Sequence, residues 1–398
     1  MYLRRGFILM DAAPIILCLN VGSSSLKFAL FEFTAAAEQR LAEGEVERIG
    51  RPGSHLRLRT QAGEQPQNEG DFASHEAALT AVFAALAELP APAALGHRLV
   101  HGGPHHARPE RIDEALLASL RAVVPFAPLH LPTALTVIQL VAERYPELPQ
   151  VACFDTAFHA ALPEVARRLP LPQELADQGL RRYGFHGLSY DYLVSRLGAA
   201  SLGRAVLLHL GSGASMAAVR DGQPVDTTMG LTPTGGFMMG TRTGDLDPGV
   251  LLYLLNHGYD ARRLAQLVDK ESGLLGVSGQ TGDMRLLLER RASDPRAALA
   301  VEMFVYQLRK SVGALVAALG GLDTLVFTGG IGEHAAAVRA QCCAGLDYLG
   351  IRIDPALNAA AASIISPPGS ACTVRVVPTD EALMIARYTR QLVFPAPA

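Results

Sequence analysis

Three short loops rich in glycine and hydroxyl side chains carry the clearest chemistry. The first is Asn20-Val-Gly-Ser-Ser-Ser-Leu-Lys27, which follows an apolar run at 15–19. Small residues let backbone N–H groups approach an anion, hydroxyls add donors, and Lys27 adds a point charge. Asn20 stands where it can reach a metal-bound water; a plain hairpin turn is the alternative. The spacing is not that of a Walker A loop. The second loop is His209-Leu210-Gly211-Ser212-Gly213-Ala-Ser215, a second anion cradle after a buried strand. It lacks the third glycine of a dinucleotide fingerprint, and no acidic residue follows a second strand, so hydride transfer is disfavoured. The third is Thr328-Gly-Gly330-Ile331-Gly332-Glu333-His334. Three glycines in four positions allow close approach of an extended ligand such as an adenosine, where a simple strand–helix connection rarely needs them.

Charged groups complete the set. Arg242 lies in the low-charge segment 238–247, and Arg98 in Gly96-His-Arg-Leu-Val-His-Gly-Gly103. The planar guanidinium suits carboxylate and phosphate oxygens, and a glycine-rich setting fits poorly with arginines that merely face solvent. Asp155, at the end of an apolar strand, can position a metal or a nucleophile, or cap a helix. His186 sits among glycines and aromatics and can equally be a hydrogen-bonded core residue. Glu381 either holds a metal or complements a helix dipole. Cradled phosphates, separated carboxylates, isolated arginines and a histidine are together the equipment for phosphoryl transfer with Mg²⁺.

The elements that must position these groups are legible in outline. Strands are expected at 15–19, 27–33, 94–100, 150–154, 205–210, 216–220, 325–327 and 374–377, and helices at 76–89, 131–142, 295–316, from 335, and at 381–393. Asp294 and Pro295 start the clearest helix, whose face holds Val301, Phe304, Val305, Leu308, Val312, Leu315 and Val316. The strand–turn–strand pattern near residue 20 recurs near residue 211, which points to a duplicated domain rather than a short-period repeat. The expected class is α/β with mixed sheets, in two related halves with a cleft between them.

Composition bounds the rest. With 398 residues, 49% hydrophobic and 18% charged, the chain has enough apolar content for two or three domains. A net charge of −3 without a basic block gives no reason to expect nucleic acid or a membrane surface as partner. Cys18, Cys153, Cys342, Cys343 and Cys372 form no CxxC pair, and read as free buried thiols of a reducing compartment. Arg4 and Arg5 precede a short apolar stretch interrupted by Asp11, read as a tail or an upstream start with Met10 as the alternative. No run of 18 apolar residues occurs, so no transmembrane helix is expected.

The strings NVGSSSLK (20–27), GHRLVHGG (96–103), FDTAFH (154–159), RRYGFHGLSY (181–190), HLGSGAS (209–215), MGTRTGDLDPG (239–249), FTGGIGE (327–333) and PTDEALMIA (378–386) resemble the acetate kinase family in order and spacing across nearly the whole chain. The resemblance implies duplicated domains of the actin, sugar-kinase and Hsp70-like (ribonuclease H-like) fold. It implies a tail at 1–13, domain I at 14–156 plus 383–398, and a nucleotide-binding domain II at 157–382. It implies Asn20 and Glu381 at Mg²⁺ (with Mn²⁺ as a substitute), Lys27 on ATP and Arg98 on the substrate carboxylate. Asp155 matches the catalytic acid, and His186 with Arg242 the pair that stabilises the transition state. His209, Leu210, Gly211, Ser212, Gly213, Asp283, Met284, Arg285, Gly330, Ile331, Gly332, Glu333 and His334 match nucleotide-contacting positions. Val100, Leu129, Phe185 and Pro233 match a small pocket around the substrate's methyl group. Departures are Ser212, Leu131 and His334 where asparagine is frequent, and Thr234-Gly-Gly-Phe, which lacks the usual acidic residue.

The activity so implied is reversible phosphoryl transfer between ATP and acetate, giving acetyl phosphate and ADP, in a cytoplasmic homodimer. Propionate kinase shares nearly every motif. A different class, a nucleotide-gated binding module of the same fold, predicts tight ATP binding without an acceptor; Arg98 and the small pocket argue against it.

Overall fold

The computed structural model describes residues 13–65, 68–128 and 130–395. Residues 1–12, which hold Arg4, Arg5, Met10 and nearly all of the expected tail, lie outside the described residues, as does Leu129 of the expected pocket. The chain forms two compact units: unit 1 runs to Phe154 and resumes at Glu381, and unit 2 spans Asp155–Asp380.

In unit 1, β1 (Ile15–Val21) and β2 (Ser25–Phe33) form an antiparallel hairpin, extended by β3 (Glu38–Glu47) and β4 (His55–Thr60). Short β5 (Gly63–Glu64) and β6 (Asn68–Glu69) pair with β4. On the other side of β1 lie β7 (Ala94–Leu99) and β9 (Gln150–Phe154), both parallel, and then the short antiparallel β8 (Glu110–Arg111). β1 and β9 are covered on both faces, which is why they read as unbroken apolar runs. Leu17, Leu19 and Leu95 pack with Val82 and with Val137 and Val141 from the helices His75–Ala85 and Leu131–Arg144. Full burial of each such side chain stabilises by about 1.5–3 kcal/mol. The opposite face takes the closing helix Glu381–Val393 through Met384, Ile385, Ala386 and Thr389. Gly96 makes that approach possible: a Cβ there would lie 2.4 Å from Ile385 Cγ2 and 2.4 Å from Thr389 Oγ1.

In unit 2, β10 (Arg204–Leu210) and β11 (Ala214–Arg220) form the second hairpin, with β12 (Gln223–Thr227) antiparallel beyond it. β13 (Thr324–Thr328) and β14 (Thr373–Val376) continue parallel on the other side. The order β12-β11-β10-β13-β14 repeats β3-β2-β1-β7-β9 in both sequence and direction. The self-similarity of the two glycine/serine turns is therefore a duplicated sheet. The long helix Pro295–Leu319 starts at Asp294, whose carboxylate accepts from the N–H groups of Arg296 and Ala297, and it buries the whole expected apolar face.

Two expectations are corrected. The helix expected over 76–89 ends at Ala85. The third glycine segment is not a loop before a helix from 335: it is itself the helix Gly329–His334, and Ala335 (φ −96°, ψ 78°) separates it from Ala336–Cys343. The Glu333 carboxylate accepts from the Gly329 N–H at 2.9 Å, which satisfies the helix start and favours its dipole.

All five cysteines are free and buried. Burial pushes the Cys153 and Cys343 thiols up, and Cys342 and Cys372 up to about 12, so they pack rather than react. Among the described residues no helix is long and apolar enough to cross a membrane.

Candidate functional site

Unit 1 gathers its charged candidates on one sheet row. The β1–β2 register pairs Asn20 with Lys27, and the β1–β7 register pairs Asn20 with Arg98. Cross-strand partners project from the same face of the sheet, so the two hairpin residues and the distant Arg98 stand side by side. Arg98 Nη1 donates to Asn20 Oδ1 at 3.1 Å, and its Nε lies 3.7 Å from Glu381 Oε2, at the start of the closing helix. Arg98 and Glu381 are each less than one-fifth exposed, so their attraction is less screened than that of a surface pair. Lys27 is largely exposed, 3.8 Å from Glu45. Val100 follows the end of β7 and is half-buried.

Two of these side chains could take part in holding a divalent metal. Among the described residues no group of three or more His, Cys, Asp or Glu side chains gathers as a metal site. Asn20 and Glu381 offer two hard oxygen donors around Arg98. Mg²⁺ suits such a sparse set, because it keeps waters and takes phosphate oxygens for the remaining positions.

Unit 2 builds its part around the second hairpin. His186 has left-handed backbone (φ 56°, ψ 26°), uncommon for a residue other than glycine, and immediately precedes the helix Gly187–Leu197 without capping it through its side chain. The Gly187 N–H donates to the Asp155 carbonyl at 2.8 Å, tying buried Asp155 to the same corner. The helix-cap alternative for Asp155 does not hold, since the short turn Phe158–Ala161 follows Ala157 and has no side-chain cap. His186 stacks on His209 with ring centroids 4.2 Å apart. A Cβ on Gly213 would lie 3.2 Å from Arg242 Nη1 and 3.5 Å from His186 Nε2. Arg242 and His186 thus converge on the glycine turn between β10 and β11. Arg242 is also held from behind, its Nη1 donating to the Pro233 carbonyl at 3.2 Å.

Beneath this corner lies His159, whose Nε2 donates to the Phe185 carbonyl at 3.0 Å. Its Nδ1 is buried without a hydrogen-bond partner. Burial in apolar surroundings holds this imidazole down at about 4. Phe185 itself is buried.

A cavity of about 420 Å³ opens beside Arg242, lined by Ser212, Gly213, Asp283, Met284 and Ile331 together with Gly240, Thr241 and Gly282. Five expected nucleotide positions from three segments therefore share one wall. Asp283 also caps the helix Met284–Arg290, accepting from the Arg285 N–H at 2.8 Å. The Arg285 side chain points to Glu289, 4.0 Å away, and is exposed. Gly330 and His334 are exposed, and Gly332 is buried. The Leu210 carbonyl abuts Gly329, joining the second and third glycine segments. Glu333 turns inward, bonded to the N–H groups of Gly329 and Thr379.

Sequence reasoning gave no role to Ser189, Tyr190 or Thr379, and read Ser215 as part of the anion cradle rather than as a partner of His186. Ser215 Oγ lies 2.8 Å from His186 Nδ1 and 2.5 Å from the Tyr190 hydroxyl. Ser189 Oγ lies 2.9 Å from His209 Nδ1 and 2.8 Å from Thr379 Oγ1. The available signal was spacing: Ser189 and Tyr190 stand three and four residues after His186, one helical turn.

Comparison with known proteins gives the family and the fold. The Acetokinase family model matches residues 15–387. Acetate kinase of Rhodopseudomonas palustris (strain ATCC BAA-98 / CGA009) is 47% identical over 397 residues, covering 96% of this chain and 98% of that protein. The crystal structure of Porphyromonas gingivalis acetate kinase has a TM-score of 0.86 at 39% identity, covering 96% and 100% of the two chains. That of a propionate kinase from Francisella tularensis has a TM-score of 0.90 at 36% identity, with the same coverage.

Proposed function

This chain belongs to the acetokinase family, phosphotransferases with a carboxyl group as acceptor, and on that premise we propose that it transfers a phosphoryl group reversibly between ATP and acetate. The observation that carries the reading is the convergence of Arg242 Nη1 and His186 Nε2 on Gly213, at the rim of the cavity.

The reaction needs little covalent help. A carboxylate oxygen forms a bond to the γ-phosphorus while the bond from that phosphorus to the β–γ bridging oxygen breaks, its electron pair leaving with ADP. The carboxylate is already ionised at pH 7, with an ordinary pKa of about 4–5, so no strong general base is required. Asp155 is accordingly assigned to positioning. Arg98 receives the substrate carboxylate, and Lys27 contacts ATP. Arg242 and His186 meet the charge spread over the equatorial oxygens in the transition state. Asn20 and Glu381 would hold Mg²⁺, or Mn²⁺ in its place, which when bound neutralises phosphate charge. Val100, Leu129, Phe185 and Pro233 are assigned to the methyl group of acetate.

A second reading, propionate as substrate, is supported by the likeness to the Francisella enzyme. One methylene in an apolar pocket is worth about 1–3 kcal/mol. Trapping the acyl phosphate as a hydroxamate, with acetate, propionate and butyrate compared by kcat/KM, separates the readings. Acetate should rank first. ATP turnover without any acyl hydroxamate would instead favour a nucleotide-gated binding module.

The reading extends to a cytoplasmic homodimer. The five free thiols support a reducing compartment. The helix Pro248–Asn256 supports a dimer: it buries none of its residues and exposes Val250, Leu252, Tyr253 and Leu255.

A further inference from the structure

We propose that Ser215 and Tyr190 are positioning residues that hold His186 in the tautomer with its hydrogen on Nε2. The inference rests on the reading of His186 as a donor to the transferring phosphoryl group.

Ser215 sits on β11 between two partners, His186 Nδ1 at 2.8 Å and the Tyr190 hydroxyl at 2.5 Å. Ser215 and Tyr190 have no exposure to water, and His186 has little. The serine owns a single hydrogen. If it goes to His186 Nδ1, then Tyr190 donates to Ser215, and the neutral ring carries its own hydrogen on Nε2. That nitrogen faces Gly213 alongside Arg242. The opposite order puts a hydrogen on Nδ1 and leaves either a bare Nε2 or an imidazolium. A bare Nε2 would aim a lone pair at phosphoryl oxygens, which are themselves acceptors.

His209 stacks at 4.2 Å, and charge on both rings at that spacing would be repulsive. His209 is held in the same manner, its Nδ1 against Ser189 Oγ, which in turn meets Thr379. A Cβ on Gly211 would lie 3.7 Å from His209 Nε2. Both rings thus turn Nδ1 toward a serine and Nε2 toward the glycine turn. The helix Gly187–Leu197 supplies the hydroxyls of Ser189 and Tyr190, and His186 immediately precedes it. One helix therefore sets both the ring and the proton.

The test uses the full-length protein. Ser215→Ala should lower kcat about 10²-fold, as expected when a donor is held in the wrong geometry. Tyr190→Phe removes one oxygen without opening a void, and should lower kcat about tenfold, the size of one lost hydrogen bond. In both, the nucleotide KM should stay within about twofold, because the interaction acts in the transition state. Nitrogen-15 spectra of the His186 ring give a readout that needs no activity: hydrogen on Nε2 in the unmutated protein, with a share moving to Nδ1 in Tyr190→Phe. Hydrogen on Nδ1 in the unmutated protein would overturn the proposal, as would unchanged kcat in both variants. If the unmutated protein makes no acyl phosphate, the functional reading fails, and the spectrum still decides the tautomer.

Discussion

Units 1 and 2 use the same five-strand order and the same hairpin, yet equip it differently. On the row just before the turn, unit 1 places Lys27, Asn20 and Arg98 side by side; unit 2 places Ser215, His209 and Thr328 on the corresponding strands. The first row is ionic and gathers Glu381. The second carries one imidazole and two hydroxyls: Ser215 meets His186 and Tyr190, His209 meets Ser189, and Thr328 meets Glu333. A duplicated scaffold has thus kept its backbone register and divided its chemistry. On the proposed function, the charge meant for a carboxylate and a metal belongs to unit 1, and the hydrogen bonds meant for a phosphoryl group belong to unit 2.

Variants can break this division one side at a time. The largest effect should come from Arg242→Ala, in unit 2. Turnover should fall about 10³-fold, the low end for a transition-state arginine, with ATP affinity little changed. Near-normal turnover would remove Arg242 from the chemistry. In unit 1, Arg98→Lys keeps the charge but loses the fork that spans Asn20 and Glu381. KM for the carboxylate should rise about tenfold while kcat changes less. If kcat fell and KM held instead, the two units would share one role.

A stability variant sharpens the same comparison. Gly96→Ala forces a methyl group into Ile385 and Thr389 of the closing helix. It should destabilise unit 1 by about 1–3 kcal/mol, seen as a lower Tm. ADP affinity should hold, because the cavity is built from unit 2 residues. The smallest effect concerns pH. Buried His97 of unit 1, bonded to Gln150, and buried His159 of unit 2 are each held down at about 4 by desolvation, against an ordinary value of 6.5. The unfolded chain then binds more protons than the folded one between about pH 4 and 6.5. Stability from these groups is full above about pH 6.5 and is lost as pH falls toward 4. His97→Gln should remove part of that slope in a Tm-against-pH series.

The legible part of the fold was the part with unbroken apolar runs. β1, β9 and β10 are covered on both faces, and their sequences say so. Among the missed strands were β3 and β4, whose Glu- and Arg-rich runs pair across one face and resemble surface loops. The helix start at Gly329 was hidden because glycine is a poor helix former; the carboxylate of Glu333, one turn later, supplies what propensity does not. Among site residues, Arg98 and Arg242 stood out as charges in glycine-rich settings. Tyr190 did not, and Ser215 was read only as part of the anion cradle, because the chain from Tyr190 through Ser215 to His186 forms only when the fold brings helix and strand together.

In the proposed reaction one protein moves a phosphoryl group from ATP to a carboxylate. Phosphorus-31 NMR of the protein with ATP, Mg²⁺ and acetate tests it most directly. The account expects the γ-phosphate signal to give way to an acyl phosphate signal matched by ADP, only when acetate is present, and to return when ADP and acetyl phosphate are supplied instead. ADP and inorganic phosphate appearing without an acyl phosphate, whichever short acid is added, would contradict it.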